Sequence, residues 1–159
     1  MDERVPMTPA GHAALTAELK RHLEVLRPKI VRDIEEARAH GDLSENSEYD
    51  DAKHRQGLCE GRIAEIKSKL GRAEVIRVED IPPSERVVFG TTVQLEDLDS
   101  EEKVSYRIVG VDEADVGQGK ISFSSPIGKA LIGRNIDDEV RVETPRGRRA
   151  FVITHVDYK

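Results

Sequence analysis

Apolar residues in the first half of the chain recur every three or four positions and form one stripe: Leu15, Leu19, Leu23, Leu26, Ile30, Ile34 and Ala37. This spacing predicts an amphipathic helix that begins after the N-cap Thr8, bends at Pro28 and ends near Gly41. A second stripe follows at heptad spacing: Tyr49, Ala52, Cys59, Ile63, Ile66, Leu70 and Ala73. Because the connection is short, the two helices are predicted to fold back as an antiparallel coiled-coil hairpin.

After residues 80–84, a linker rich in proline, the pattern changes to a period of two. Six strands are predicted, at residues 87–89, 92–95, 104–109, 120–123, 140–142 and 150–153. A short helix is predicted over residues 126–132, with Ser125 as its N-cap and Gly133 at its end. The fold class is therefore α+β, with a hairpin domain over residues 1–79 and a mostly antiparallel β domain over residues 80–159.

The composition of the chain excludes several classes of protein. A net charge of −6 argues against a protein whose main affinity is for nucleic-acid backbones. No apolar run is long enough for a membrane span and no signal peptide is visible, so we expect a cytoplasmic protein with no membrane partner. One cysteine excludes an internal disulfide framework. Two stripes that satisfy each other within one hairpin predict a monomer.

The predicted bend between the helices is acidic. It contains Asp42, Glu45, Glu48, Asp50 and Asp51, with no Lys or Arg between Arg38 and Lys53, so it is predicted to carry unneutralised negative charge. Asp42 and Glu45 are spaced to bring two carboxylates together, and Mg²⁺ commonly takes one or two protein carboxylates. A capping role for both acids is the alternative, and the spacing alone favours it.

Residues 37–49 (ARAHGDLSENSEY) closely resemble the tip of the bacterial GreA/GreB transcript cleavage factors. The likeness extends over nearly the whole chain, through QG at 56–57, EGRI at 60–63, VFG at 88–90, GVDEAD at 110–115, GKIS at 119–122 and SPIGKALIG at 125–133. The acidic balance is closer to GreA than to the more basic GreB.

The second helix is predicted to begin between Glu45 and Ser47, with Ser44 or Asn46 as its cap.

The resemblance implies a function. The coiled coil of such factors enters the secondary channel of RNA polymerase, and an FKBP-like C-terminal domain docks at the channel entrance. Asp42 and Glu45 match the two tip acids that share a second Mg²⁺ with the polymerase active site, which then hydrolyses the 3′ end of backtracked nascent RNA. The factor is not itself an enzyme, and no cofactor is bound stably by the factor alone. The matching positions that shape the tip are Gly41, Leu43, Ser44, Asn46, Glu48 and Tyr49.

One departure follows the tip: family members commonly read Glu-Tyr-His-Ala-Ala where this chain has Asp50 and Asp51 after Tyr49. These possible modulators add repulsion toward RNA phosphates or alter metal affinity. Some relatives with altered acidic tips inhibit polymerase, so a channel inhibitor is the first alternative. A prolyl isomerase and a plain coiled-coil adaptor are two further alternatives for the function. The few aromatic residues argue against the isomerase, and an adaptor would leave the tip sequence free to vary.

Overall fold

The computed structural model describes residues 3–41 and 46–159. Two compact units emerge: one contains His12–Ala73, and the other contains Arg4–Gly11 and Glu74–Lys159. The elements of the first half, in order, are β1 (Val5–Met7), α1 (Pro9–Arg21), a π-helical turn (His22–Leu26), α2 (Arg27–Ala39), α3 (Ser47–Gly71) and β2 (Ala73–Val75). With the strands of the second half, described below, the predicted α+β fold class is confirmed.

The caps of the long helices follow the sequence signals. Thr8 precedes α1, and its hydroxyl accepts a hydrogen bond from the backbone N–H of Gly11 at 3.1 Å. Asn46 caps α3 by accepting from the N–H of Tyr49. Both predicted N-caps are confirmed, Asn46 being one of the two candidates for α3. Each cap satisfies one of the N–H groups that a helix leaves without an intrahelical partner.

Pro28 is accommodated by the π-helical turn that precedes it. Proline has no N–H, and its ring clashes with the carbonyl four residues earlier in a regular α-helix. Here the N–H of Arg27 reaches back five residues to the carbonyl of His22, so the helix is wider just before the ring. The apolar stripe therefore continues from α1 into α2, as the sequence predicts.

The hairpin core is formed by the two predicted stripes. Ile30 of α2 packs with Cys59 and Ile63 of α3, and all three are buried. Four half-buried residues surround this cluster: Leu19, Leu23, Leu26 and Ile34. Ala73, predicted on the helical stripe, instead lies in β2, because α3 ends at Gly71. The pairing of β1 with β2 was not predicted.

The second unit contains a five-stranded sheet in the order β5-β4-β3-β7-β6. Its strands are β3 (Thr92–Asp97), β4 (Lys103–Val109), β5 (Lys120–Ser122), β6 (Glu139–Thr144) and β7 (Gly147–Asp157), and its helix is α4 (Pro126–Leu131). Neighbouring strands in this described region run antiparallel, except that β4 and β5 are parallel. Ser125 caps α4 through the N–H of Gly128, as predicted.

The strand predicted at residues 87–89 is wrong. Val87 is fully buried, but its backbone bonds to the connection after α4, donating to Arg134 O at 2.7 Å and accepting from Gly133 N–H at 2.9 Å. The apolar run therefore reflects burial in the core and not membership of the sheet. The core of this unit includes Leu95, Ile108, Leu131, Phe151 and Ile153.

Candidate functional site

The candidate site is the tip between α2 and α3. Asp42, Leu43, Ser44 and Glu45 lie outside the described residues, so the metal-binding role of Asp42 and Glu45 stays a prediction. The described flank of the tip contains the remaining predicted residues: Gly41, Asn46, Glu48, Tyr49, Asp50 and Asp51. Their contacts show how the two helix ends are joined.

Asn46 joins the ends of α2 and α3. Its side-chain Nδ2 donates to the carbonyl oxygen of Ala37 at 2.6 Å, and its Oδ1 accepts from the N–H of Tyr49 at 3.1 Å. The first bond satisfies a carbonyl in the last turn of α2, and the second caps α3. Both functions of the amide are used: its NH₂ group donates to one helix end while its oxygen accepts from the other, from two separate atoms of one uncharged side chain.

Gly41 and His40 end α2. Gly41 has a φ of +102°, a conformation that favours glycine, and its N–H donates to Arg38 O. The His40 Nδ1 lies 3.3 Å from the Glu48 Oε2, and both side chains are well exposed. This contact becomes an ion pair only when the imidazole is protonated. The turn conformation and the helix stop agree with the sequence prediction.

Asp51 is not an unneutralised acid, which corrects the prediction for the bend. Arg55 donates its Nε–H to the Asp51 Oδ2 at 3.0 Å and its Nη1–H to the Asp33 Oδ2 at 3.0 Å. We call Asp33, Arg55 and Asp51 the Arg55 bridge. Hydrogen bonds from Arg55 and then from Lys29 lower the pKa of Asp33, and the bonds to Asp33 and then Asp51 raise the pKa of Arg55. Asp50 is exposed.

The sequence analysis missed the Arg55 bridge. Asp51 and Arg55 are four residues apart on one helix, a spacing that favours an ion pair and was available from the sequence. Asp33 is 22 residues from Arg55 and gives no such signal. Its contact follows from the register of α2 against α3.

Two further ion pairs fix that register away from the tip. Arg27 of α2 makes a two-pronged contact with Glu60 of α3, at 2.8 and 2.6 Å. Arg62 of α3 contacts Glu18 of α1 in the same way, at 2.5 and 2.8 Å, and its hydrogen bond lowers the pKa of Glu18. Such forked arginine contacts have fixed geometry, so they favour one antiparallel alignment of the helices.

Other candidate groups behave as structural residues. Burial raises the pKa of the Cys59 thiol, and Cys59 lies in the hairpin core as predicted. Among residues 3–41 and 46–159, no cluster of three or more His, Cys, Asp or Glu side chains is placed to hold a metal ion. No helix in the same described ranges is long and apolar enough to cross a membrane.

Comparison with known families assigns both halves of the chain. Residues 5–75 match the family described as "Transcription elongation factor, N-terminal", and residues 82–158 match "Transcription elongation factor, GreA/GreB, C-term". The chain belongs to the GreA/GreB family. Transcription elongation factor GreA of Syntrophotalea carbinolica is 52% identical over 158 residues, which cover 99% of each chain. GreA of Hyphomonas neptunium is 55% identical over 157 residues, again 99% of each chain.

Two solved structures of related factors align with nearly the whole chain. GreA factor homolog 1 of Thermus thermophilus is 31% identical, with 97% of this chain and 99% of that chain covered and a TM-score of 0.44. A GreA/GreB factor from Nitrosomonas europaea is 23% identical, with 98% and 100% covered and a TM-score of 0.44. The resemblance of the sequence to this family is confirmed by the family matches and the full-length relatives.

Proposed function

We propose that this transcription elongation factor acts on bacterial RNA polymerase in the cytoplasm, where its hairpin enters the secondary channel and stimulates cleavage of backtracked RNA. The observation that supports this most is the match of the whole chain to the GreA/GreB family together with the tip sequence of residues 41–49. Polymerase supplies the hydrolytic active site in this proposal. The factor contributes the tip and docks through its C-terminal domain.

The hairpin has the dimensions for such a role. At about 1.5 Å per residue, the 25 residues of α3 span about 38 Å. A helix pair of this length can hold a tip well away from its base inside a narrow channel. Ion pairs of Arg27 and Arg62 and the bonds of Asn46 stabilise one alignment of the two helices, so the tip is presented on a stiff support.

Asp42 and Glu45 are the residues that would hold the second Mg²⁺, together with ligands from polymerase. Two carboxylates match the oxygen donors that Mg²⁺ prefers, and they leave room for water and phosphate oxygens in its shell. When bound in a two-metal site, such an ion activates water and stabilises the leaving oxygen. Two carboxylates do not fill the coordination shell of Mg²⁺ by themselves, so the proposal requires further ligands from the partner.

The second candidate is a factor that occupies the channel and inhibits polymerase. Asp50 and Asp51, which depart from the common tip sequence, favour it by adding negative charge beside Tyr49. The Arg55 bridge counts against it, because Asp51 is paired within the hairpin. The Asp51 side chain is itself 67% exposed but its carboxylate is paired with Arg55, whereas Asp50 is exposed and adds charge relative to the usual sequence.

The decisive experiment measures RNA cleavage in stalled, backtracked polymerase complexes with Mg²⁺. The parent protein is compared with an Asp42→Asn, Glu45→Gln double variant, and a competition assay measures polymerase binding by each. The matched control is Glu24→Gln, Glu74→Gln, which removes two exposed acids that lie far from the tip along the chain. We expect the tip variant to bind polymerase but to lose accelerated cleavage, while the control keeps it.

Two results would contradict the proposal. Accelerated cleavage by the double tip variant would show that Asp42 and Glu45 are not metal donors. A parent protein that slows nucleotide addition without promoting cleavage would instead support the inhibitor, and Asp50→His with Asp51→Ala would then be tested for restored cleavage.

A further inference from the structure

Among the described residues close to the hairpin tip, few apolar side chains are buried. The main cluster, Ile30 with Cys59 and Ile63, lies farther along the helices. Near the tip the fully buried side chains are those of Ala37 and Ala52, each of which contributes one methyl group. Because hydrophobic stabilisation scales with the apolar area removed from water, this end of the hairpin gains little from it. In this described part of the hairpin, polar contacts contribute to the alignment of the last turns.

The Arg55 bridge supplies such a contact at the required position. Asp33 lies one turn before Ala37 on α2, and Asp51 lies about one turn into α3. Arg55 contacts both carboxylates at 3.0 Å, and the Asp33 side chain is only 27% exposed. A guanidinium group suits this geometry because its donors form a rigid fork and it remains charged at any physiological pH.

The surroundings of the bridge are acidic. An open cleft of about 210 Å³ is lined by Asp33, Glu36, Ala37, His40, Glu48, Asp51 and Arg55. Four of these residues are acids, and Arg55 is the permanently charged cation among them. Lys29 also contacts Asp33, at 3.2 Å, but it does not line the cleft. Loss of the Arg55 charge would therefore leave the Asp51 carboxylate without its partner beside other acids.

We infer that Arg55 is a positioning residue of the hairpin tip: it links Asp51 to Asp33 of α2 and offsets part of the Asp51 charge where the tip approaches the phosphates of RNA. This inference rests on the proposed function, because a polyanionic RNA is the partner for which the charge matters. Like charges a few ångströms apart repel strongly enough to change rates severalfold. Because Arg55 also pairs with Asp33, it offsets only part of the acidic departure formed by Asp50 and Asp51.

The first test needs no polymerase. Arg55→Gln removes the charge but keeps much of the side-chain length, and hydrogen exchange is measured at the buried Ala52 amide near the tip. We expect exchange about threefold faster, the size of effect expected for losing a partly exposed ion-pair bridge. Exchange equal to that of the parent would overturn the bridge as a tie between the helices.

The second test measures the maximal cleavage rate at saturating factor. At about 0.05 M salt we expect Arg55→Gln to lower the rate about threefold to tenfold. The deficit should shrink at about 0.3 M salt, since the screening length falls as salt rises. Adding Asp51→Asn to Arg55→Gln should return the rate to within about twofold of the parent, because the unpaired charge is then removed.

Arg148→Gln is the control, because it breaks an exposed arginine ion pair, with Glu143, in the second unit. It should keep the parent rate. The inference would be overturned if Arg55→Gln cleaved RNA at the parent rate. It would also be overturned if neither higher salt nor Asp51→Asn reduced the loss of cleavage rate in Arg55→Gln. Either result would leave the proposed function intact. If the parent itself does not accelerate cleavage, the proposed function fails, and the charge role of Arg55 fails with it.

Discussion

Replacement of Asn46 should loosen the tip more than its size suggests, because one side chain makes two different contacts. Asn46→Ala removes the N-cap of α3, worth about 1 kcal/mol. It also removes the 2.6 Å bond to Ala37 O, worth about another 1 kcal/mol. Among the described residues, the Ala37 carbonyl then keeps the bond from His40 N–H, at 3.2 Å. We expect the free energy of local unfolding at the tip end of the hairpin to fall by about 2 kcal/mol.

Asn46→Ser separates the two contributions. A serine hydroxyl can cap α3, but it is too short to reach Ala37 O, so we expect a cost of about 1 kcal/mol. Hydrogen exchange at the buried Ala52 amide measures both variants. A difference of about 2 kcal/mol corresponds to about 30-fold faster exchange, and one of about 1 kcal/mol to about fivefold.

An amide in the sheet of the second unit, such as that of Leu95, serves as the internal control and should exchange at the parent rate in every variant. Equal exchange in Asn46→Ser and the parent would show that the bond to Ala37 contributes nothing. If Asn46→Ala also matched the parent, the assignment of Asn46 as both cap and cross-link would be refuted.

Three further predictions concern stability; the first two are measured by urea unfolding and the third by acid unfolding. Gly57→Ala should stabilise the hairpin by about 0.5–1 kcal/mol, because Gly57 lies inside α3 with nothing within 4 Å of an added Cβ; a loss of stability would contradict this. Gly128→Ala should destabilise the second unit by about 1–3 kcal/mol, since its Cβ would lie 2.2 Å from Ser122 O, and an unchanged midpoint would refute the close approach. Hydrogen bonds from Arg149 and two backbone N–H groups lower the pKa of Asp97. Its contribution to stability is therefore present above the ordinary carboxyl pKa and is lost as pH falls through the lowered value. Asp97→Asn should reduce that loss below about pH 4, whereas an acid-unfolding curve identical to that of the parent would count against the pairing.

Local signals predicted the helices and their caps. The three- and four-residue spacing of residues 15–37 and the heptads of α3 define two apolar stripes, and a short connection leaves them one way to be buried. Thr8, Asn46 and Ser125 cap their helices because a cap depends on residues only three positions apart. The strands β3, β4, β6 and β7 were predicted for a related reason, since alternation is also a local property.

Long-range contacts decided what the pattern did not show. Val87 reads as a strand residue, yet it bonds to residues 133–134 and lies outside the sheet. The pairing of β1 with β2 brings together segments about 70 residues apart, for which a sequence pattern carries no register.

The tip shows the same division. The sequence, through its family resemblance, provides the prediction that Asp42 and Glu45 hold a metal ion shared with polymerase. It also indicates a bend crowded with unpaired acids, and for Asp51 this is wrong. Only the packing of α2 against α3 brings Asp33 to Arg55, because the charge that neutralises an acid is set by distance in space and not along the chain.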